Sequence, residues 1–483
     1  MVVGRVGLAP FVGLTLLAMG LVGPMGRPAL GQALRQPEGV LTSYQPQPQV
    51  AGRWVPREVT RLPDVVSAQG KEAGTAEAIP APAGEAKAAA SGLTLEYLES
   101  LAMANNPSLV QADARVCAAE GRAVQAGLYP NPVAGYRADE IGNEGKAGMQ
   151  GAFVRQELVT AGKLGLSRSA AGHAVVAARH AADAVRQRVL GDVRRLYYDV
   201  LAAQRLEELN RELVRLGDEG VRATTDLLRA KEVSRVDQLQ AKIEADAARL
   251  RLAQAERRRE AGWRELAAMV GLPTLEPAPL SGGLEEALSP LDWEESLRGL
   301  LEQSPELAQA RAVVQQARCT LAREMAGRVP NVDLEAALQH DFATGDTLAG
   351  VQLGMPIPVF DRNQGNICRA EAELRSALYG VRRIELRLQQ RLAAAFERYA
   401  NARHEAEQYR TSILPNAQTS LELVRAGYRQ GELGYLALLT AQRTYFQANL
   451  TYLEALRQLR AAQTEIEALL LRGGLEDLPT PGG

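Results

Sequence analysis

The segment PIPVFDRNQGN, residues 356–366, marks a change from one kind of secondary structure to another. Its two prolines cannot lie inside a helix, because proline lacks the amide donor and crowds the preceding turn. The residues from Ile367 onward nevertheless have the composition of a long helix. We therefore expect the prolines to end a strand, and Asp361 or Asn363 to cap the helix that follows. The predicted strand–helix junction comprises Pro356, Pro358, Asp361, Asn363 and Gly365.

Two stretches around and before this junction alternate apolar and polar or small residues. They are NVDLEAALQHD (331–341) and LAGVQLGMPI (348–357), with the turn sequence FATGDT between them. A period of two predicts a β-hairpin within 331–357 that has one apolar face and one polar or small face. A noisier version of the pattern occupies 131–158. Strands of about ten residues can cross a bilayer when tilted, whereas the alternative is a small soluble sheet that caps the helices.

Each predicted hairpin is followed by long amphipathic helices. In both long runs the apolar residues recur at steps of three and four, which indicates coiled-coil-like helices. Breaks at LGDEG (216–220) and ILPNAQ (413–418) divide each run into an antiparallel pair. The predicted helices span 160–215, 219–270, 361–413 and 416–471. Beyond the amino-terminal segment no apolar stretch reaches the length of about 18 residues that a membrane-spanning helix needs. A mature chain that spans a membrane must therefore use strands.

The two halves of the chain correspond at a constant offset of 200 residues. This offset aligns Pro130 with Pro330 and Gly165 with Gly365, and it also aligns identical residues along the long helices. Because the register continues through the non-helical junctions, we interpret the pattern as an internal duplication. The predicted organisation is a first repeat at 92–272, a connecting segment at 273–293, a second repeat at 294–471 and a flexible tail at 472–483.

The amino terminus has the features of a secretory signal. Arg5 precedes an apolar run, and the small residues Ala29 and Gly31 are spaced as signal peptidase requires. We predict a signal peptide at 1–31 rather than a membrane anchor. Residues 32–91 are rich in Pro, Gln, Ala and Gly without periodicity, which predicts a disordered linker.

Composition and motif content argue against several classes of function. Hydrophobic residues make up 46% of the chain but aromatic residues only 5%, which favours helix-on-helix packing. A net charge of −2 without a basic stripe gives no sign of a nucleic-acid partner. Three scattered cysteines and four isolated histidines suggest neither a disulfide framework nor a metal site. We therefore predict no catalytic, cofactor-binding or metal-binding residues, and no enzymatic activity.

The passage LGMPIPVFDRNQGNICRAEAEL (353–374) resembles the strand-to-helix passage of the TolC family of outer-membrane efflux proteins. The proline-rich strand end followed by R-N-Q-G-N resembles its cobalt-zinc-cadmium and copper efflux branch in particular. GYRQGELGYLALLTAQRTYFQA (427–448) is similar to the family's glycine-containing stretch on the last long helix. The resemblance runs from about residue 93 to 471, although the first repeat lacks the prolines and the Arg-Asn pair of the junction.

The resemblance implies a homotrimer in the outer membrane. Each chain would contribute four strands to a twelve-stranded β-barrel and its long helices to a periplasmic α-barrel, with 273–293 in an equatorial region. It also implies passive export of heavy-metal cations received from an inner-membrane pump of the resistance-nodulation-division (RND) type and a periplasmic adaptor. The alternatives are a duct for drugs or general solutes and, less in keeping with two tandem hairpins, a periplasmic coiled-coil adaptor or scaffold.

Two sets of functional residues follow from these expectations. The helix turns farthest from the strands should receive the adaptor, and their predicted markers are Gly217, Asp218, Pro415 and Asn416. Asp333 and Glu335 lie on the polar face of their strand and would face the lumen if that face points inward. They would give the duct at most a weak electrostatic bias.

Overall fold

A computed structural model describes residues 92–145, 147–285 and 290–476, and in them one order of elements occurs twice. The predicted signal peptide and linker lie outside the described residues. The first repeat contains α1 (Leu95–Asn105), α2 (Pro107–Ala126), β1 (Val133–Asp139), β2 (Met149–Leu158), α3 (Lys163–Arg229) and α4 (Arg235–Val270). The second repeat contains α5 (Trp293–Gln303), α6 (Pro305–Ala326), β3 (Val332–Asp341), β4 (Thr347–Gly354), α7 (Gln364–Gln408), α8 (Leu414–Arg429) and α9 (Tyr435–Glu467).

The short helices of each repeat are separated by a capping residue followed by proline. The side-chain oxygen of Asn106 accepts a hydrogen bond from the Ser108 amide at 2.9 Å, and its amide nitrogen donates to the Met269 carbonyl at 2.7 Å. Ser304 caps α6 in the second repeat by accepting from the Leu307 amide. A side-chain acceptor at the N-cap and proline at the first helical position favour a helix start.

Helix α3 is continuous over 67 residues, which corresponds to a length of about 100 Å. The predicted break at 216–220 is wrong, because Gly217 and Asp218 lie inside this helix. Gly217 permits close helix packing, since an added Cβ would lie 3.1 Å from the Cα of Ala245 on α4. Asp218 forms an ion pair with Arg249 of α4 at 2.7 Å. Both residues therefore lie against α4 within the helical hairpin, away from its turn.

The chain turns between α3 and α4 at residues 230–234 instead. Lys231 adopts a left-handed backbone conformation with φ of 60°. Ser234 then starts α4 with a capping box: its hydroxyl accepts from the Asp237 amide, and the Asp237 carboxylate accepts from the Ser234 amide at 3.0 Å. This reciprocal pair satisfies two amides that have no partner within the helix.

The predicted break at 413–418 in the second repeat is also wrong. Helix α7 runs into one π-helical turn, Tyr409–Ile413, and α8 follows directly. Pro415 and Asn416 lie in the first turn of α8, where a missing proline amide is tolerated. The chain reverses only at 430–434, where Gly431 has φ of 78°. The tips of the two hairpins are therefore at 230–234 and 430–434.

The four strands form one antiparallel sheet in the order β1-β2-β3-β4. The central pairing, β2 with β3, joins the two repeats and extends from Met149 opposite Asp341 to Leu158 opposite Val332. Strands β1 and β4 have a partner on one side only. Within the described chain, both outer edges of the sheet are open.

The main group of buried side chains lies midway along the long helices. Val189 and Val193 of α3 and Leu388 of α7 are completely buried. The segment predicted to connect the repeats packs against this region: the Trp263 indole donates to the Leu275 carbonyl at 2.9 Å, and Arg460 donates to the Leu284 carbonyl. Among the described helices, none combines the length and the apolar character needed to cross a membrane.

The beginning of the predicted flexible tail is packed against α3. The Asp192 carboxylate accepts hydrogen bonds from the amides of Gly473 and Gly474 at 2.9 and 2.7 Å. Because Asp192 is buried, these bonds satisfy a charge that would be costly to leave unpaired. The prediction of flexibility is therefore wrong at Gly473 and Gly474, and residues 477–483 lie outside the described part of the chain.

Candidate functional site

One face of the sheet is apolar and exposed. The cross-strand row Val154, Ala336 and Val351 lies on this face, next to the row Ala152 and Leu338. Val154, Leu338 and Val351 are 51, 59 and 78% exposed. A row of large apolar side chains in contact with water is unfavourable, so the face needs an apolar environment.

The opposite face is polar and contains an ion-pair cluster. Glu335 of β3 is 5% exposed and accepts from Arg155 of β2 at 2.6 Å and from Arg137 of β1 at 2.7 Å. The Arg137 guanidinium also lies 5.1 Å from the centre of the Phe153 ring. Gly135 leaves room for that ring, because a Cβ would approach it to 2.6 Å.

This cluster corrects the prediction for the two carboxylates in one respect. Asp333 is exposed on the polar face. The Glu335 carboxylate is instead paired with two arginines, so it is not free to act on ions in a lumen. Arg137 and Arg155 were missed by sequence reasoning. The two arginines lie on different strands, so their shared face follows from the register of β1 and β2, which the spacing in the sequence does not give.

The strand–helix junction is held by Asn363 in a way that differs from the predicted cap. Asn363 occupies the N-cap of α7 with φ of 60°, but its side chain makes no capping hydrogen bond. Its side-chain amide nitrogen, Nδ2, instead donates to the main-chain carbonyl and the carboxylate of Glu324 at 2.7 and 2.9 Å. The Asp361 carboxylate accepts a hydrogen bond from the main-chain amide of Asn363 at 2.9 Å. The junction is therefore tied to the end of α6.

The remaining junction residues lie where the chain leaves the sheet. Strand β4 ends at Gly354, and Pro356 and Pro358 belong to the irregular passage that follows. Gly365 lies in the first turn of α7 with open space around its Cβ position. At the strand–helix junction of the first repeat, Asn331 from the second repeat accepts from Lys163 and donates to Glu157, both at 2.6 Å.

Close to the hairpin tips, the two repeats contact each other through tyrosines and an ion pair. Tyr435 packs with Ala241 and Leu439, and its ring lies 6.2 Å from that of Tyr428. Burial raises the pKa of the Tyr435 phenol above its ordinary value. Arg443 of α9 forms an ion pair with Glu244 of α4. The predicted docking residues lie along the helices rather than in these tips.

The histidines and cysteines are not brought together. In the ranges that the structure describes, no group of three or more His, Cys, Asp and Glu side chains is arranged to hold a metal ion. Cys117, Cys319 and Cys368 are free thiols on three different helices.

A two-faced sheet with open edges, joined to long helices of which α3 is about 100 Å long, is the architecture of a subunit of an outer-membrane channel. The family model described as outer membrane efflux protein matches residues 98–272 and 297–470. The chain belongs to this outer membrane efflux protein family, and its location is the outer membrane. The family consists of channels rather than enzymes, and its members act in tripartite efflux systems.

Individual relatives agree with this membership. The cobalt-zinc-cadmium resistance protein CzcC of Cupriavidus metallidurans is 30% identical over 390 residues, which are 80% of this chain and 91% of CzcC. The channel-forming protein CusC has a TM-score of 0.67 at 18% identity, with 78% of this chain and 92% of CusC covered. The open state of the Neisseria gonorrhoeae MtrE outer membrane channel has a TM-score of 0.64 at 20% identity, covering 79% of this chain and 89% of MtrE. The predicted fold class, mainly α with membrane β, is confirmed.

Proposed function

We propose that the protein is a passive exit duct for heavy-metal cations, supplied by an inner-membrane RND-type pump through a periplasmic adaptor. The observation that carries the proposal is the sheet, whose apolar face suits outer-membrane lipid and whose polar face suits a water-filled lumen. The relation to CzcC supports metal cations as the cargo. No catalytic step by this chain is needed.

The proposed duct is a homotrimer. Four strands cannot close on themselves, and open strand edges cannot face lipid, because their amide and carbonyl groups would lack partners. The smallest single-chain membrane barrels have about eight strands. Three copies with four strands each supply twelve strands, and the long helices would continue the duct into the periplasm.

We propose that the adaptor docks at the revised hairpin tips, 230–234 and 430–434. These turns end the helices that start at the sheet, so they lie far from the membrane end of the molecule. Exchanging Lys231 for Glu, or Gly431 for a bulky residue, should abolish efflux while the trimer persists. Asp218→Asn serves as the control along the helix, because it weakens one exposed ion pair. Normal transport by both tip variants would place the docking site elsewhere.

Planar-bilayer recording tests the duct itself. The purified full chain should insert as an oligomer and conduct ions. A water-soluble monomer that neither binds membranes nor conducts would contradict the proposal. Cargo is tested separately with a deletion strain, in which new sensitivity to drugs with unchanged metal tolerance would indicate a duct for organic solutes.

A further inference from the structure

In the described residues, one strand-to-helix passage forms hydrogen bonds with the helix-to-strand passage of the other repeat. We call 157–163 and 355–363 the first and second exit passages, which lead from strand to helix. We call 127–132 and 327–331 the first and second entry passages, which lead from helix to strand. The first exit passage contacts the second entry passage: Thr160 donates to the Pro330 carbonyl at 2.6 Å, and Asn331 bridges Glu157 and Lys163.

The other two passages form no hydrogen bond with each other in the described residues. The Pro130 carbonyl accepts instead from Gln156 of β2 at 2.9 Å, and the second exit passage is tied to its own repeat through Asn363. Apart from these contacts both passages are largely exposed. Pro330 and Asn331 are partly buried in the contact just described, whereas Pro130 and Asn131, at an offset of 200 residues, are exposed. In the second exit passage Ile357 is 80% exposed and Phe360 is 90% exposed. The duplication therefore leaves one exit passage and one entry passage open at opposite edges of the sheet.

The two open passages also match in chemistry. The first exit passage contributes polar groups to its contact, but the second presents Met355, Ile357, Val359 and Phe360. The first entry passage has Leu128 and Tyr129, 53 and 64% exposed, where the second has Arg328 and Val329. A contact within a chain can be polar because the chain already holds its parts together. A contact between chains must offset the loss of free motion, which apolar burial does.

We propose that the second exit passage of one copy binds the first entry passage of the next copy, with Phe360 against the Leu128–Pro132 segment. This inference rests on the proposed trimer and assigns one of its contacts to named residues. It also accounts for the prolines that the first repeat lacks. Pro356 and Pro358 restrict the backbone of the passage and need no amide partners, so little conformational freedom is lost when the neighbouring copy binds.

Cysteine cross-linking in the full-length membrane protein tests the contact. In a background without Cys117, Cys319 and Cys368, the pair Asn131→Cys and Phe360→Cys should be oxidised to a covalent trimer on non-reducing gels. Each single variant should give no covalent trimer. The matched control is the pair Asn331→Cys and Thr160→Cys, which should lose its free thiols without a change in mass, because that contact lies within one chain.

A substitution provides a second measurement. Phe360→Ser should cause loss of the detergent-resistant trimer, whereas Phe342→Ser, at an exposed aromatic residue on the β3–β4 turn, should not. Suppose that the channels assemble and conduct, but show no cross-link, and that the two serine variants behave alike. The proposed contact is then wrong, and the proposed function as a duct is unaffected. If the cysteine-free parent neither assembles nor conducts, the proposed function fails and the contact fails with it.

Discussion

At the scale of single residues, Glu335 connects three strands of the sheet. It lies on β3 and forms ion pairs with one arginine from β2 and one from β1, so that both hairpins are joined on the polar face. Asp333, two residues away on the same face, is exposed and forms no part of this cluster. The pair offers a comparison in which the same charge is removed from two different environments.

Glu335→Gln and Asp333→Asn should differ in stability but change permeation in the same direction. Both remove one negative charge from the polar face, so each should shift the reversal potential in a salt gradient toward anions. Only Glu335→Gln leaves two arginines facing each other without their carboxylate, so only this variant should lower the thermal midpoint of the trimer. Equal midpoints for both variants, measured at the same ionic strength, would contradict the assigned role of Glu335.

Asn363 shows why the partner of a side chain is harder to predict from sequence than the residue at which a helix begins. Its position in the sequence correctly suggested a helix start, yet its side chain binds Glu324, 39 residues earlier. A local pattern contains no information about such a partner. The sequence did not predict the left-handed backbone conformation of Asn363 either, although asparagine tolerates this conformation better than most residues do.

Replacing Asn363 by Ala and by Gly should separate these two contributions. Both variants lose the hydrogen bonds to Glu324, which costs about 1 kcal/mol or more in the free energy of unfolding. Alanine also incurs the left-handed strain of roughly 1 kcal/mol, which glycine avoids. Denaturant titration should therefore rank the wild type above Asn363→Gly and Asn363→Gly above Asn363→Ala. A reversed order of the two variants would contradict the role of the backbone conformation.

At the scale of elements, periodicity predicted the types of structure well but misplaced the turns. The long helices and both hairpins follow from spacing that is visible in the sequence. Gly217 and Pro415 suggested breaks because both residue types usually interrupt helices. In the folded chain, Gly217 lies where α3 packs closely against α4. Pro415 lies in the first turn of α8, directly after the π-helical turn. Both reasons depend on neighbours that a single segment does not reveal.

Gly217→Leu should separate α3 from α4, because a side chain at this position meets the main chain of Ala245. Overpacking of this kind costs roughly 1–3 kcal/mol. Gly172→Ala is the matched control on the same helix, since nothing lies within 4 Å of its Cβ position. Calorimetry should show a lower midpoint for the first variant and an equal or higher midpoint for the second. Equal midpoints for Gly217→Leu and the wild type would contradict a close crossing there.

At the scale of the whole molecule, the proposed duct places selectivity outside this chain. Tight binding of Cu(I) or Zn(II) requires a cluster of soft or imidazole ligands, and the described histidines and cysteines form no such group. A duct that bound its cargo tightly would also release it slowly. We therefore assign the choice of metal to the pump, and to this chain only the weak bias of lumen carboxylates such as Asp333.

Deleting the gene should raise sensitivity to zinc, cobalt, cadmium or copper, and a variant without the four histidines and three cysteines should restore resistance. The residues exchanged are His173, His180, His340, His404, Cys117, Cys319 and Cys368. Growth at graded metal concentrations measures the result, with trimer content in outer-membrane fractions as the control for assembly. If the variant assembles normally but leaves the cells sensitive, the channel itself coordinates metal, and selectivity does not belong to the pump alone.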